Sequence, residues 1–144
     1  LAAVVGLFSG RGFNITSLCV AETFDPDTSR ITLVTKGDAA VLEQIKKQLN
    51  KLIDVIKVHD FTGVSTVIRD MALVRVRAKP AQRAEILRTV DIFRGKVVDV
   101  GQEDYILEIT GSEAKVDAFV ELLKHMGVRE IVRTGTIALS RDRQ

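Results

Sequence analysis

The chain has 144 residues, 46% apolar and 28% charged, which calls for a packed core and excludes disorder. Its 21 basic and 19 acidic residues are spread without a block of either sign, so the net charge of +2 offers no footprint for nucleic acid. A single cysteine, Cys19, rules out an internal disulfide and fits a reducing, cytoplasmic compartment; no apolar run reaches the roughly 20 residues of a membrane-spanning helix, so no membrane partner is expected.

Leu1, Val4, Val5 and Phe8 fall at the i, i+3, i+4, i+7 positions of an amphipathic helix. No Ser, Thr, Asp or Asn precedes them as an N-cap, so the sequence is expected to open inside a helix, with residues upstream of Leu1 that would include any signal or transit peptide. Gly12 suits the left-handed position beyond the helix end, and two other glycines of the run, Gly6 and Gly10, suit close packing. A strand is expected from Asn14 to Phe24, a turn over Asp25-Pro26-Asp27-Thr28-Ser29, and a return strand from Arg30 to Lys36. In the return strand Ile31, Leu33 and Thr35 share one face, Thr32, Val34 and Lys36 the other. Asp38 is a candidate N-cap for a helix whose Leu42, Ile45, Leu49 and Leu52 form an apolar stripe. A strand from Asp54 to Phe61 would complete the order α-β-β-α-β, which lacks only an opening strand to be βαββαβ.

Thr62-Gly63-Val64-Ser65 reads as a linker, dividing the chain into residues 1–63 and 64–144. Met71 to Ala78 alternates as a strand. Pro80 fits the first turn of a helix that buries Ile86, Leu87, Val90 and Phe93 and ends at Gly95. Strands at Lys96 to Val100 and Tyr105 to Thr110 flank a turn. A helix opens at Ser112 with Val116, Phe119, Val120 and Leu123 in register, and a last strand runs from Val128 to Thr134, with a continuation past Gly135 to Leu139 left open. Laid side by side from Asp38 and Ser112, the halves match without a gap: Leu42 with Val116, Ile45 with Phe119, Leu49 with Leu123 and Leu52 with Met126. Shared helical periodicity also produces such matches by chance, and on either reading the fold class is α+β with two ferredoxin-like βαββαβ units.

Catalytic constellations are scarce. His59 falls in an expected strand, His125 near a helix end, and Cys19 in an apolar strand without an adjacent base. Glu22 with Asp25 and Glu103 with Asp104 read as solvated turn and strand-end residues. The glycine-rich run matches neither the phosphate loop nor the dinucleotide fingerprint, since no strand precedes it. RNA recognition by an open sheet needs stacking aromatics, whereas the chain has no Trp, one Tyr and six Phe. Sheets covered by helices on one side only leave a bare face, which a second copy of the chain would cover, so at least a homodimer is expected.

The run Gly6-Leu7-Phe8-Ser9-Gly10-Arg11-Gly12-Phe13-Asn14-Ile15-Thr16-Ser17-Leu18 closely resembles the hallmark of the acetolactate (acetohydroxyacid) synthase small-subunit family. Leu42 to Leu52 resembles that family's second helix, Arg69 to Val74 its inter-domain strand, Phe93 to Val100 its second-domain hairpin, and Gly135 to Arg141 its ending. The resemblance implies a regulatory subunit without catalytic activity of its own. Its first unit would be an amino-acid-binding ACT domain lacking its first strand in this sequence, and its effector a branched-chain amino acid, valine. The implied partner is a catalytic large subunit, to which thiamine diphosphate, FAD and magnesium would belong; this chain would hold no cofactor and no metal. The implied effector-binding residues are Asn14, through its carboxamide, Ile15, through its main chain, and Leu7 and Phe8, against the aliphatic group. On spacing alone, Asn14 reads equally as a turn asparagine bonding its own backbone. The family's opening strand and its Asn/Asp-x-x-Gly loop, which supplies half of the effector site, have no counterpart here. A stand-alone ACT-type sensor acting on another enzyme is the alternative, and a ferredoxin-like enzyme of small-molecule metabolism is disfavoured by the poor catalytic inventory.

Overall fold

The structure, a computed structural model, describes residues 2–11 and 13–141, with their side chains except at 9–11. Leu1 and Gly12, expected in the first apolar stripe and at the first helix end, lie outside the described residues. The chain divides into two compact units, Leu1–Val67 together with the stretch from Leu139, and Ile68–Ala138.

In the first unit, helix α1 (Ala2–Arg11) buries Val4 and Phe8, one turn apart on the same face. Val5, expected on that face, is exposed, and Leu7 is half-buried in its place. At 100° per residue, Leu7 and Val5 flank the Val4–Phe8 line on opposite sides, and the core lies toward Leu7. A Cβ at Gly6 would meet nothing within 4 Å, so close packing is not the role of that glycine. Strands β1 (Asn14–Glu22) and β2 (Ser29–Lys36) form an antiparallel hairpin. Helix α2 (Ala39–Asn50) starts at Asp38, whose carboxylate accepts from the Val41 N–H at 2.9 Å, and it buries Ile45 and Leu49 against Val4 and Phe8.

The expected strand from Asp54 to Phe61 does not form. Val55 and Val58 are partly buried on the first core, while Ile53 and Ile56 are almost fully exposed. In the second unit the closing strand pairs with the opening strand, whereas in the first only β1 and β2 pair among the described residues. An extended segment without a strand neighbour gains no inter-strand hydrogen bonds.

The second unit is a complete βαββαβ: β3 (Thr66–Arg77), α3 (Arg83–Ile92), β4 (Lys96–Val100), β5 (Asp104–Gly111), α4 (Glu113–Lys124) and β6 (Val128–Arg133). Strand order is β4-β5-β3-β6, with antiparallel pairing throughout, and a short β7 (Ile137–Ser140) also pairs with β3. Strand β3 begins at Thr66, earlier than the alternation from Met71 suggested. The last strand is split into β6 and β7 around Gly135, whose φ of 89° interrupts an extended run. Pro80 lies before α3, in a turn closed by Gln82 N–H to Lys79 C=O at 2.8 Å, so the helix starts after it. Leu87, expected to be buried, is 42% exposed; Ile86 and Val90 carry the buried face, and Phe93 packs edge-on against Phe119 at 5.4 Å. Ser112 caps α4 through the Lys115 N–H at 3.2 Å, the same bond that Asp38 makes for α2. Ala72, Val74, Val76, Leu107 and Ile109 on the sheet close the core with Val116, Phe119 and Leu123 of α4.

Strand β3 carries a buried acidic residue in its first half. Asp70, 4% exposed, receives two hydrogen bonds from Arg133, one of them from Nε at 3.2 Å, and Arg133 Nη1 donates to Asp117 on α4 at 2.6 Å. Burial disfavours the Arg133 cation, but hydrogen bonds to Asp117 and Asp70 more than offset this and hold its pKa above the ordinary arginine value.

Candidate effector site

Of the four residues singled out from the sequence at the corner where α1 passes into β1, Leu7, Phe8 and Ile15 share one apolar cluster, and Asn14 opens β1 outside it. Phe8 is 3% exposed, and its ring meets that of Phe13 edge-on at 5.7 Å, fixing the end of the helix against the start of the strand. Leu7 and Ile15 are half-buried in the same cluster. Phe8 is a core residue, so its contribution to a ligand site is to position the corner, with Leu7 the more accessible apolar group. Asn14 opens β1 with its side chain exposed, and no hydrogen bond links its carboxamide to another described residue.

Strand register sets what surrounds Asn14. It pairs with Lys36, and Ile15 with Thr35, after which the ladder slips between Ile15 and Ser17 and resumes with Ser17 opposite Val34 and Leu18 opposite Leu33. The irregularity shifts parity by one, so Ile15, Leu18 and Val20 share the face of Ile31 and Leu33. Thr16 pins the slip by donating its hydroxyl to the Val34 carbonyl at 3.1 Å. Lys36 was not singled out from the sequence. Its place as the cross-strand neighbour of Asn14 depends on the hairpin register, which alternation alone does not show. Asn14 and Lys36 are exposed cross-strand neighbours, whereas Phe13 and Ile15, alternating with Asn14, pack with Leu7 on the core.

The other titratable candidates lie elsewhere. His59 is exposed and stacked on Phe61 with ring centroids 6.3 Å apart, and His125 is the C-cap residue of α4. Cys19 is half-buried in β1. Among the described residues no group of three or more His, Cys, Asp or Glu could hold a metal ion, and no helix is long and apolar enough to cross a membrane.

Two family models match the chain. The model for the AHAS small subunit-like ACT domain covers residues 1–57, and that for the small subunit of acetolactate synthase covers residues 69–142. The probable acetolactate synthase small subunit of Methanothermobacter thermautotrophicus is 49% identical over 142 residues, covering 98% of this chain and 84% of that protein. The acetolactate synthase small subunit of Haemophilus influenzae is 50% identical over 142 residues, covering 98% and 87%. The crystal structure of the acetolactate synthase small subunit from Thermotoga maritima superposes with a TM-score of 0.89 at 45% identity, covering 99% of this chain and 89% of that one. With family models over both units and relatives aligned along nearly its whole length, the chain belongs to the acetolactate synthase small subunits, regulatory proteins of branched-chain amino-acid synthesis without catalytic activity of their own.

Proposed function

We propose that the chain activates a separate catalytic subunit of acetolactate synthase and makes it sensitive to feedback inhibition by a branched-chain amino acid, valine, bound at the α1–β1 corner of paired first units. The observation that carries the site is the exposed Asn14 carboxamide at the head of β1, unbonded to other described residues and beside Lys36 in the ladder. A carboxamide can accept from an ammonium group and donate to a carboxylate, the main chain of Ile15 adds further polar groups, and Leu7 offers apolar surface to an isopropyl side chain. Phe8, beneath them in the core, holds the corner in shape.

Thiamine diphosphate, FAD and magnesium belong to the catalytic partner in this reading, and no step is assigned to them through residues of this chain. A homodimer is part of the proposal: two copies would supply both halves of the interface and cover bare sheet. By register, Leu73 of β3 stands opposite Val132 of β6, and the two are 41% and 60% exposed on the face away from the helices. The test is reconstitution. Adding the full chain to the catalytic subunit should raise its turnover and introduce inhibition by valine. Turnover unchanged by the chain with no complex in sedimentation would overturn the proposal.

A further inference from the structure

The second unit closes its core before the chain ends. That core is drawn from Ala72 to Met126, with Val128 and Ile131 of β6 packed against it, and no residue of 137–141 takes part. β7 nevertheless pairs with β3. Two bonds bracket the pairing: the Thr134 N–H donates to the Met71 carbonyl at 3.0 Å, and the Arg141 N–H to the Ser65 carbonyl at 2.9 Å. β7 therefore lies along the first half of β3, through which the chain leaves the first unit. The chain passes between the units twice, after Val67 and after Ala138, so both passages run in this two-stranded ribbon.

The ribbon is held firmly at one end and lightly at the other. Arg133 is fixed on the buried Asp70 and on Asp117, and the Thr134 hydroxyl accepts from the Met71 N–H at 3.2 Å. Gly135, at φ 89°, then gives the turn from which β7 departs. Ile137 and Leu139 are 53% and 63% exposed, so little apolar burial holds β7 in place. Its far end is latched by Arg141, whose Nη1 donates to the Ser65 hydroxyl at 3.0 Å beside the main-chain bond. Ser65 belongs to the expected linker, which is ordered by the Val64 N–H to the Phe61 carbonyl at 3.0 Å and the Thr66 hydroxyl to the Val64 carbonyl at 2.8 Å. A short strand with exposed apolar side chains opens at a lower free energy than a buried core. A fixed anchor, a glycine turn, a lightly held strand and a polar latch make an element that opens while the core stays folded.

We propose that residues 137–141 are a clasp on the connection between the two units, and that effector inhibition passes to the catalytic subunit only while the clasp is closed. Closed, the connection is a hydrogen-bonded ribbon of two strands. Open, it is a single strand whose φ and ψ are no longer held by a ladder. The closed form supplies a discrete state for effector binding to bias, which an unfastened linker does not. The inference rests on the reading that the chain conveys effector inhibition to such a subunit.

The experiment compares the full wild-type chain with Arg141→Ala, which removes the guanidinium latch, and Ala138→Pro, which takes a main-chain donor out of β7 and does not fit inside a paired strand. Hydrogen exchange at the main-chain amides of residues 66–70 reads the clasp, and calorimetry reads valine binding to the free chain. Reconstitution with the catalytic subunit reads activation and the extent of inhibition at saturating valine. Both variants should speed exchange at residues 66–70, Arg141→Ala by about tenfold or more, the scale of a lost hydrogen bond from a charged group. Valine affinity and activation should keep their wild-type values while maximal inhibition falls, further for Ala138→Pro. Faster exchange with full inhibition retained would overturn the clasp's part in signalling and leave the regulatory reading intact. Unchanged exchange, or loss of the second unit's thermal transition in both variants, would show that β7 does not detach and would also overturn the inference. A wild-type chain that neither binds valine nor alters the catalytic subunit would overturn both readings.

Discussion

Substitutions at two adjacent residues should change stability in opposite directions, because the end of α3 separates two requirements that glycine often meets together. Arg94 adopts φ 55°, the Arg94 N–H donates to the Asp91 carbonyl at 3.1 Å, and the Gly95 N–H to the Val90 carbonyl at 2.8 Å. This is the paired closure of a Schellman motif, with an arginine in the left-handed position and glycine one residue later. Arg94→Gly relieves a left-handed cost of about 1–2 kcal/mol and adds unfolded-state entropy worth about 0.5–1 kcal/mol, so a net gain of about 0.5–1 kcal/mol is expected. Gly95→Ala places a Cβ 2.8 Å from the Glu108 carbonyl oxygen, well inside ordinary contact. That carbonyl belongs to β5, whose ladders run to both β3 and β4, so it cannot move aside without disturbing the sheet. Overpacking of this kind costs about 1–3 kcal/mol, which lowers the midpoint of a unit this size by about 10 °C. Thermal unfolding of both variants followed by circular dichroism is the assay. An unaltered midpoint for Gly95→Ala, or a lower one for Arg94→Gly, would refute the assignment of left-handed strain to Arg94 and close approach to Gly95.

Arg133→Met strands the buried Asp70 and should cost about 2–3 kcal/mol, with part recovered by adding Asp70→Asn, as denaturant melts of a double-mutant cycle would show. Asp60 titrates below the ordinary Asp value, chiefly through the Thr62 N–H at 2.9 Å and then its hydroxyl at 2.7 Å. A lowered folded-state pKa contributes stability above the unfolded pKa that is lost as pH falls through the folded one, so Asp60→Asn should flatten part of the acid limb of stability against pH.

The helices were the most legible elements. Asp38 and Ser112 declare the starts of α2 and α4 by side-chain chemistry that acts within three residues, and the apolar stripes that follow have the helical period. Features that depend on a neighbour in space were less legible. Residues 54–61 contain Val55, Ile56 and Val58, suited to a strand, yet strand formation needs a partner edge. The parity shift between Ile15 and Ser17 leaves no mark in the local pattern, so Lys36 could not be placed beside Asn14. Val5 and Leu87 belong to apolar stripes broad enough to be read one position too wide, and only the direction of the core decides which flank is buried. Of the corner residues, Asn14 and Leu7 are more accessible than the aromatic Phe8, which the core occupies.

The central claim is that the α1–β1 corner carries the effector signal while activation of the enzyme is separate. Asn14→Ala in the full chain, reconstituted with the catalytic subunit and titrated with valine, tests it most directly. Loss of a hydrogen bond to a charged group costs about 1.5–3 kcal/mol, so half-inhibition should move to valine concentrations about ten- to more than a hundredfold higher, with maximal activity retained. Unchanged half-inhibition, or a collapse of maximal activity with inhibition intact, would contradict the claim.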